Sequence, residues 1–281
     1  MFQRTLKNTI KATGTGLYTG KKIILSLNPA LPNTGIIFRR IDLNPIITIP
    51  AHVDNLYGNE NYTCLIKNKV KILFIEHLMA AFAGLGIDNA IVDLNESEIP
   101  IMDGSAWPFI FLILSSGIQE QDVLKKFIKI KQKVRIDGLY GWASIEPYDG
   151  FMVSFNTEPN SQFCNHQQPL AIDFTISSFI KEISRARTFL ECHSDVKILS
   201  DKFEFTTLNI NSKKLRYKDE FRKHKILDII GDLYLLGHCI SGHFSGYGSE
   251  YHLNKILLQT LLSTKDTWEF IDYKDNQKFY L

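Results

Sequence analysis

Residues 219–240 read DEFRKHKILDIIGDLYLLGHCI and predict a long helix with one apolar side. The apolar residues recur every three to four positions, which is typical of a helix that packs one face into a core. That side consists of Leu227, Ile230, Leu233 and Tyr234. Imidazole and carboxylate side chains lie in the same run, so the helix also carries the main functional signal of the chain.

His224 and Asp228 lie four residues apart and therefore project from the same face of the predicted helix. An imidazole nitrogen and a carboxylate oxygen at this spacing are a potential pair of metal ligands. A local hydrogen bond between the two side chains is the simpler interpretation of the spacing alone. A catalytic zinc takes three protein ligands and leaves one position open, so a metal site needs a third ligand from elsewhere.

Residues 74–82, FIEHLMAAF, supply a candidate for that ligand. His77 could complete a His-His-Asp site, and Glu76 could take the proton from an attacking water. Neighbouring residues on a helix point about 100° apart, so Glu76 need not compete with His77 for the metal. By itself, a Glu-His pair is more often a solvated or capping pair.

Two long stretches and three short motifs together resemble one enzyme family. The stretches are residues 75–108, IEHLMAAFAGLGIDNAIVDLNESEIPIMDGSAWP, and residues 215–246, LRYKDEFRKHKILDIIGDLYLLGHCISGHFSG. The motifs are QRTL at 3–6, GTGLYTG at 14–20 and RARTF at 185–189. Taken in their order along the chain, these segments are similar to the bacterial UDP-3-O-acyl-N-acetylglucosamine deacetylases, the zinc enzymes of lipid A synthesis. Together they span most of the chain.

The resemblance implies a metal, a base and a substrate. One Zn²⁺ per chain would be held by His77, His224 and Asp228, and Fe²⁺ would suit the same ligands. Glu76 would be the general base for hydrolysis of an acetamide. The implied substrate is a UDP-linked acylated amino sugar, UDP-3-O-(3-hydroxyacyl)-N-acetylglucosamine.

Four further positions match functional residues of the family. Thr188 matches a residue whose hydroxyl stabilises the oxyanion, and Lys225 matches a lysine that contacts substrate and supports the charged intermediate. Asp232 matches an acid that orients the second catalytic residue, and Phe189 matches a residue of the sugar and acyl region. Without the motif, Lys225 would be interpreted as a solvated helix lysine.

The sequence departs from the family at the proton donor. The family has a histidine in a Lys-Ser-Gly-His stretch that protonates the leaving amine. Here the ungapped alignment puts Gly248 at the lysine and Tyr251 at the histidine, and His252 follows one residue later. A slip of one residue at the start of the last helix would make His252 the donor, as partner of Asp232. Tyr251 as donor and a missing donor are the alternatives.

Two other departures concern the substrate side. Tyr18 stands where the family usually has histidine. The glycine-rich segment expected after Phe189 is absent, and DKFEFT stands at residues 201–206.

Composition argues against several classes of protein. The 281 residues allow one large or two modest domains, and a net charge of +2 gives no reason to expect nucleic-acid binding. The longest apolar run, near residues 109–114, is too short to span a bilayer, and the N-terminus lacks the apolar core of a signal peptide. Four scattered cysteines without a CxxC pair predict reduced thiols. We expect a cytoplasmic monomer without a transmembrane segment.

Strands followed by helices, twice along the chain, predict an α+β protein of two similar halves. We place the boundary in the polar stretch 119–123, which gives domains 1–120 and 121–281. The resemblance implies helices sandwiched between two β-sheets, with the zinc site in the cleft between the halves.

The remaining elements follow from turn and cap signals. We expect a helix containing Glu76 to end near Gly84 or Gly86, and a helix capped by Ser105 to end near Gly117. A last helix should run from about Ser249 through Leu262. Strands are predicted at residues 21–27, 35–39, 46–49, 90–94, 127–136, 142–147 and 151–155.

The leading hypothesis is a zinc amidohydrolase that removes acetate from the UDP-linked substrate. The alternative is a degenerate homologue that binds zinc and UDP-sugar without turnover, which Tyr251 favours. Glu76 favours the enzyme, because a pure binding protein has little need of a base. The changed region 190–215 leaves open a deacetylase of altered acyl preference.

Overall fold

The computed structural model describes residues 1–57, 62–157, 168–188, 215–249 and 251–272. Within these ranges the strands form four sheets, and the chain also forms five α-helices. The predicted α+β class is confirmed. Phe189 and residues 201–206, which the sequence singled out, lie outside the described ranges.

The first part of the chain is mostly β-structure. Its described strands are β1 (Phe2–Leu6), β2 (Ile10–Thr15), β3 (Lys22–Pro29), β4 (Ile36–Arg40), β5 (Ile47–Pro50), β6 (Leu56–Tyr57), β7 (Cys64–Lys67), β8 (Val70–Leu73) and β9 (Ala90–Leu94). Five of them form a sheet in the order β2-β3-β9-β4-β5, and β6-β7-β8 form a small antiparallel sheet. In β3, the alternate residues Ile23, Leu25 and Leu27 are fully buried, as expected for a strand with one face on the core.

The second part is built on a seven-stranded sheet. β10 (Ile118–Leu124) precedes this sheet in the chain and is not part of it. The seven strands of the sheet are β11 (Lys126–Ile130), β12 (Val134–Asp137), β13 (Trp142–Glu146), β14 (Phe151–Asn156), β15 (Leu170–Asp173), β16 (Cys239–Tyr247) and β17 (Trp268–Asp272). The main order is β12-β13-β16-β11-β17, and β14 pairs with both β16 and β15. β10 pairs antiparallel with β1 and so ties the start of the second part to the first strand.

The helices lie between these sheets. They are α1 (Glu76–Leu85), α2 (Trp107–Ser116), α3 (Ile176–Ser178), which continues into a π-helical turn (Phe179–Ile183), α4 (Glu220–Leu233) and α5 (Tyr251–Ser263). α2 packs on β2, while α4 and α5 pack on strands of the seven-stranded sheet. α1 contacts both α2 and α4, and all ten of its residues are buried. After Glu76 and His77 in its first turn α1 is apolar on every side, as expected of a helix in a core, and it joins the two parts of the molecule there.

The observed ends of the helices in the first part agree in most respects with the ends predicted from the sequence. α1 ends at Gly86, which has φ of 64° and a left-handed conformation that favours glycine. α2 ends at Gly117 as predicted, but its N-cap is Ala106 rather than Ser105. The Ser105 hydroxyl still accepts a hydrogen bond of 3.3 Å from the backbone N–H of Trp107.

Two predictions in the second part were too long. The helix predicted for 219–240 ends at Leu233, passes into a 3₁₀ turn (Tyr234–Leu236) and stops at Gly237, where φ is 80°. The strand predicted for 127–136 divides into β11 and β12. The polar stretch 119–123 lies within β10, and the division into domains 1–120 and 121–281 stays a prediction.

Across the described ranges, none of the helices combines the length and apolar character needed to cross a membrane.

Candidate active site

The site forms where the first turn of α1 meets the middle of α4. α1 presents Glu76 and His77, and α4 presents His224 and Asp228 one turn apart. The helices approach closely because residue 231 of α4 is glycine. A Cβ atom at Gly231 would lie 2.2 Å from the carbonyl oxygen of Glu76, so a larger residue would push the helices apart.

The backbone that enters α1 has an unusual conformation. Phe74, two residues before Glu76, has φ of 59°, a region that residues with a Cβ atom rarely adopt. Its ring packs against Tyr62 with 4.4 Å between ring centroids. Strained backbone of this kind concentrates at functional sites, which supports a functional role for the start of α1.

His77, His224 and Asp228 form a compact group that could hold a metal ion. Their ligand atoms all lie within 4.8 Å of one another, and all three side chains are buried. Asp228 Oδ1 lies 3.5 Å from His77 Nε2 and 3.4 Å from His224 Nε2. The imidazole rings are 4.9 Å apart at an interplanar angle of 80°, so both nitrogens face the carboxylate oxygen.

The environment of two atoms in this group indicates that the group binds a cation. His224 Nε2 and Asp228 Oδ1 are buried and have no hydrogen-bond partner in the described part of the chain. Unsatisfied buried polar atoms are costly, so their convergence needs an explanation. A metal bound by a neutral imidazole nitrogen and a carboxylate oxygen satisfies both atoms, and the donor set is one that zinc accepts.

The protonation of these ligands favours metal binding. His224 Nδ1 lies 3.0 Å from the carbonyl oxygen of Ala186, which fixes the proton on Nδ1 and leaves the lone pair of Nε2 free. Burial lowers the pKa of His224 to about 4, so the imidazole is neutral at pH 7. Burial raises the pKa of Asp228, but His224, His77 and Lys225 more than offset this and bring it to about 2.

Glu76 lies beside the metal group in a dry environment. Its Oε2 accepts a hydrogen bond of 3.2 Å from the backbone N–H of Thr63. Burial, and then the charges of Asp228 and Asp232, raise the pKa of Glu76 well above its usual range. General-base catalysis is most efficient when the pKa of the base lies near the operating pH, so a carboxyl group whose pKa is raised from the acidic range is suited to this role.

Asp232 is held by partners that the sequence did not indicate. Its Oδ1 accepts from the Thr63 hydroxyl and its Oδ2 accepts a hydrogen bond of 2.9 Å from Asn254 Nδ2. Burial raises the pKa of Asp232 to about 7, against the lowering effect of these two hydrogen bonds. The expected pairing of Asp232 with His252 is therefore absent. His252 Nδ1 is buried without a hydrogen-bond partner among the described residues.

Tyr251 occupies the position next to the metal group. Its hydroxyl donates a hydrogen bond of 2.8 Å to Asp228 Oδ2. Burial, followed by the negative charges of Asp228, Glu76 and Asp232, raises the pKa of Tyr251 well above its usual range. Lys225 Nζ lies 5.3 Å from the centroid of the Tyr251 ring, so this lysine is close to the same tyrosine.

Hydrogen bonds to each of the residues 186–188 fix the position of Thr188. Ala186 meets His224, as described above, and the N–H of Thr188 donates to the carbonyl oxygen of Gly104 over 2.8 Å. Between them, Glu220 accepts from the backbone N–H of Arg187 at 3.1 Å and from its Nε at 2.8 Å. Because Glu220 and His224 lie one turn apart on α4, the same helix positions the candidate ligand His224 and the segment that carries Thr188.

The sequence contained a signal for Glu220 that the local analysis missed. Four polar residues of α4 recur every fourth position and all are buried: Glu220, His224, Asp228 and Asp232. A charged ladder at this spacing is unusual on the buried face of a helix. Thr63 and Asn254, which complete the network, come from distant segments, and nothing in their local sequence distinguishes them.

Comparison with known proteins gives one consistent result. The profile of the family described as UDP-3-O-acyl N-acetylglycosamine deacetylase matches residues 3–263. The chain is 47% identical over 289 residues to the UDP-3-O-acyl-N-acetylglucosamine deacetylase of Coxiella burnetii, with 97% of this chain and 94% of the relative covered. The enzymes of that name from Methylococcus capsulatus and Thioalkalivibrio sulfidiphilus are 48% and 47% identical, with 97% and 98% of this chain and 94% and 95% of the relatives covered.

Proposed function

This chain belongs to the UDP-3-O-acyl N-acetylglycosamine deacetylase family, and we propose that it is a zinc-dependent amidohydrolase of lipid A biosynthesis. Its substrate is UDP-3-O-(3-hydroxyacyl)-N-acetylglucosamine, from which it releases acetate. The observation that carries the proposal is the convergence of His224 Nε2 and Asp228 Oδ1, which lack hydrogen-bond partners within the described ranges, with His77 and next to the buried Glu76.

The proposed metal is one Zn²⁺ per chain on His77, His224 and Asp228. When bound, it supplies a Lewis acid that polarises the acetamide carbonyl and makes water more acidic. Two imidazoles and a carboxylate also suit Fe²⁺, so the choice of zinc rests on the resemblance to the family.

Side chains of the protein accept the proton of water, stabilise the developing charge and hold the network around the base. Glu76 accepts the proton of the attacking water, and its buried carboxylate is suited to this role. The Thr188 hydroxyl and the Lys225 ammonium stabilise the negative charge that develops on the carbonyl oxygen. Asp232 supports the network around Glu76, because Thr63 bridges the two carboxylates through its backbone N–H and its hydroxyl.

The amine that leaves must receive a proton. We propose His252 as the donor, because its Nδ1 is buried and has no hydrogen-bond partner among the described residues, whereas the Tyr251 hydroxyl already donates to Asp228. His252 reaches the leaving group only if the start of α5 shifts. Gly248, with φ of 51°, precedes this helix and provides a flexible point for such a shift.

The proposal extends to the substrate and to the setting of the enzyme. Phe189 contacts the sugar or acyl part of the UDP-linked substrate. The protein acts in the cytoplasm as a monomer, and the buried thiols Cys64 and Cys239 are compatible with a reducing compartment.

A direct assay tests this function. Purified protein with a defined metal content is incubated with UDP-3-O-(3-hydroxyacyl)-N-acetylglucosamine, and acetate release is measured, with the metal-loaded Glu76→Gln protein as control. Release by the wild-type protein alone supports the enzyme. If the loaded wild-type protein binds the substrate and releases no acetate, the non-catalytic alternative is correct.

A further inference from the structure

The two oxygens of Asp228 have different environments. Oδ1 has no hydrogen-bond partner in the described ranges and lies 3.5 Å and 3.4 Å from the Nε2 atoms of His77 and His224. Oδ2 accepts the 2.8 Å hydrogen bond from the Tyr251 hydroxyl. The carboxylate is therefore held with one oxygen directed at the histidines and the other satisfied by a neutral donor.

The tyrosine ring is well placed to hold this geometry. Tyr251 is the first residue of α5, and Asn254, three residues later, faces α4 as well, because it donates to Asp232 Oδ2 over 2.9 Å. Residues three apart lie on the same side of a helix, so both contacts come from one face of α5. Lys225 Nζ, 5.3 Å from the Tyr251 ring centroid, borders the ring on another side.

We infer that Tyr251 is a positioning residue for the metal ligand Asp228 in the substrate-free protein, where its hydroxyl holds Oδ2 and leaves Oδ1 directed at His77 and His224. The inference rests on the metal site of the proposed function. It assigns a new role to the position where the resembled family has its catalytic histidine. The Tyr251 hydroxyl hydrogen is already donated to Asp228, so this residue is not the source of the proton for the leaving amine.

The test compares two tyrosine-to-phenylalanine variants. Tyr251→Phe removes only the hydroxyl that binds Asp228. Tyr234→Phe removes a buried hydroxyl that donates a hydrogen bond of the same 2.8 Å length, but to the carbonyl oxygen of Ile87, away from the metal ligands. Both variants lose one buried hydrogen bond, so a difference between them reports the contact with Asp228.

The measurement is metal affinity by competition with a chelator, for Zn²⁺ and for Co²⁺, with the visible spectrum of bound Co²⁺ as a second readout. Loss of an outer partner of a metal ligand typically costs about 10–100-fold in affinity, and we expect this loss in Tyr251→Phe. Tyr251→Leu, which also lacks the donor, should weaken binding in the same direction. Tyr234→Phe should retain wild-type affinity and an unchanged Co²⁺ spectrum. Wild-type affinity in folded Tyr251→Phe protein would overturn the inference.

Acetate release at increasing metal concentration separates positioning from proton transfer. If Tyr251 positions Asp228, the activity of Tyr251→Phe recovers as the metal site fills. A rate that stays about 10²–10⁴-fold low at full occupancy would assign the hydroxyl to proton transfer and overturn the inference. If the loaded wild-type protein releases no acetate, the proposed function fails, while the affinity comparison still decides the role of Tyr251.

Discussion

Gly231 of α4 packs directly against the backbone of Glu76 in α1, so that a Cβ atom at 231 would lie 2.2 Å from the Glu76 carbonyl oxygen. This contact sets the separation of the two helices at the level of the site. His77 follows Glu76 on α1, and Asp228 lies one turn before Gly231 on α4. The metal group therefore depends on the absence of a side chain at 231.

Gly231→Ala should consequently weaken both folding and metal binding. The added methyl group would contact backbone atoms, which cannot move aside by changing a side-chain rotamer. Overpacking of this kind typically lowers the free energy of unfolding by about 1–3 kcal/mol. Gly84→Ala is the matched control on α1, because its Cβ would meet the Phe179 ring at 2.1 Å, two turns from the metal ligands. Denaturant unfolding and chelator competition measure the two effects. We expect Gly84→Ala to lower stability alone; wild-type metal affinity in Gly231→Ala would contradict the role of this contact.

The three proposed ligands predict one tightly held divalent metal per chain. His77→Ala, His224→Ala and Asp228→Ala should each lose metal, because three ligands are the minimum for a catalytic zinc site. His243→Ala is a suitable control, since His243 contacts Ser154 at 2.8 Å, outside the metal group. Metal content is measured after dialysis, and circular dichroism checks the fold. Unchanged stoichiometry in all three folded variants would show that the site is wrong.

The local sequence was sufficient for part of this arrangement. The i,i+4 spacing of His224 and Asp228 predicts two ligands on one face, and the apolar run after Glu76 predicts the buried helix α1. It does not predict that α1 and α4 meet, because this contact joins distant segments and depends on the close approach at Gly231. The third ligand, His77, was a candidate from the Glu-His pair at 76–77, and the resemblance to a family assigned it that role.

The partners around the site were harder to predict for the same reason. The Tyr251 hydroxyl reaches Asp228 because of the register of α5, which also brings Asn254 to Asp232. Sequence comparison alone aligned Tyr251 with a histidine and led to an expected pair between Asp232 and His252 that the structure does not contain. The helix predicted to reach residue 240 was too long because apolar periodicity continues through Leu236, whereas the backbone turns at Gly237.

Glu76→Gln should retain the metal and lose most activity. The amide has nearly the same shape as the carboxylate but cannot accept the proton of water, and loss of a general base typically costs about 10²–10⁴-fold in rate. The assay is acetate release by protein of equal metal content. Glu182→Gln, at an exposed glutamate, controls for the loss of one negative charge. A near-native rate in Glu76→Gln would assign the base to another residue, with His252 as the first candidate.

Deacetylation should depend on the 3-O-acyl chain of the substrate. The proposed substrate is amphipathic, and removal of its acyl group takes away apolar binding energy that orients the acetamide at the metal. The comparison is acetate release from UDP-N-acetylglucosamine and from its 3-O-(3-hydroxyacyl) form at equal concentrations. We expect the acylated form to react much faster. Equal rates for both would argue against the assignment to lipid A biosynthesis.

His252→Ala tests the source of the proton for the leaving amine. If His252 is the donor, kcat should fall by about 10²–10⁴-fold while the metal content stays at the wild-type level. Helical neighbours differ by about 100° in direction, so His252 can reach the amine only after the start of α5 moves away from the position in which Tyr251 contacts Asp228. The rate of His252→Ala is measured beside that of Tyr251→Phe, both at full metal occupancy.

The pattern across the two variants identifies the donor. A large loss in His252→Ala alone supports the shift of α5, and histidine suits proton transfer at neutral pH because its ordinary pKa is about 6.5, against about 10 for tyrosine. A loss in Tyr251→Phe alone, at full occupancy, excludes the shift and makes the tyrosine hydroxyl the donor. If neither variant is slowed, neither side chain donates the proton to the leaving amine.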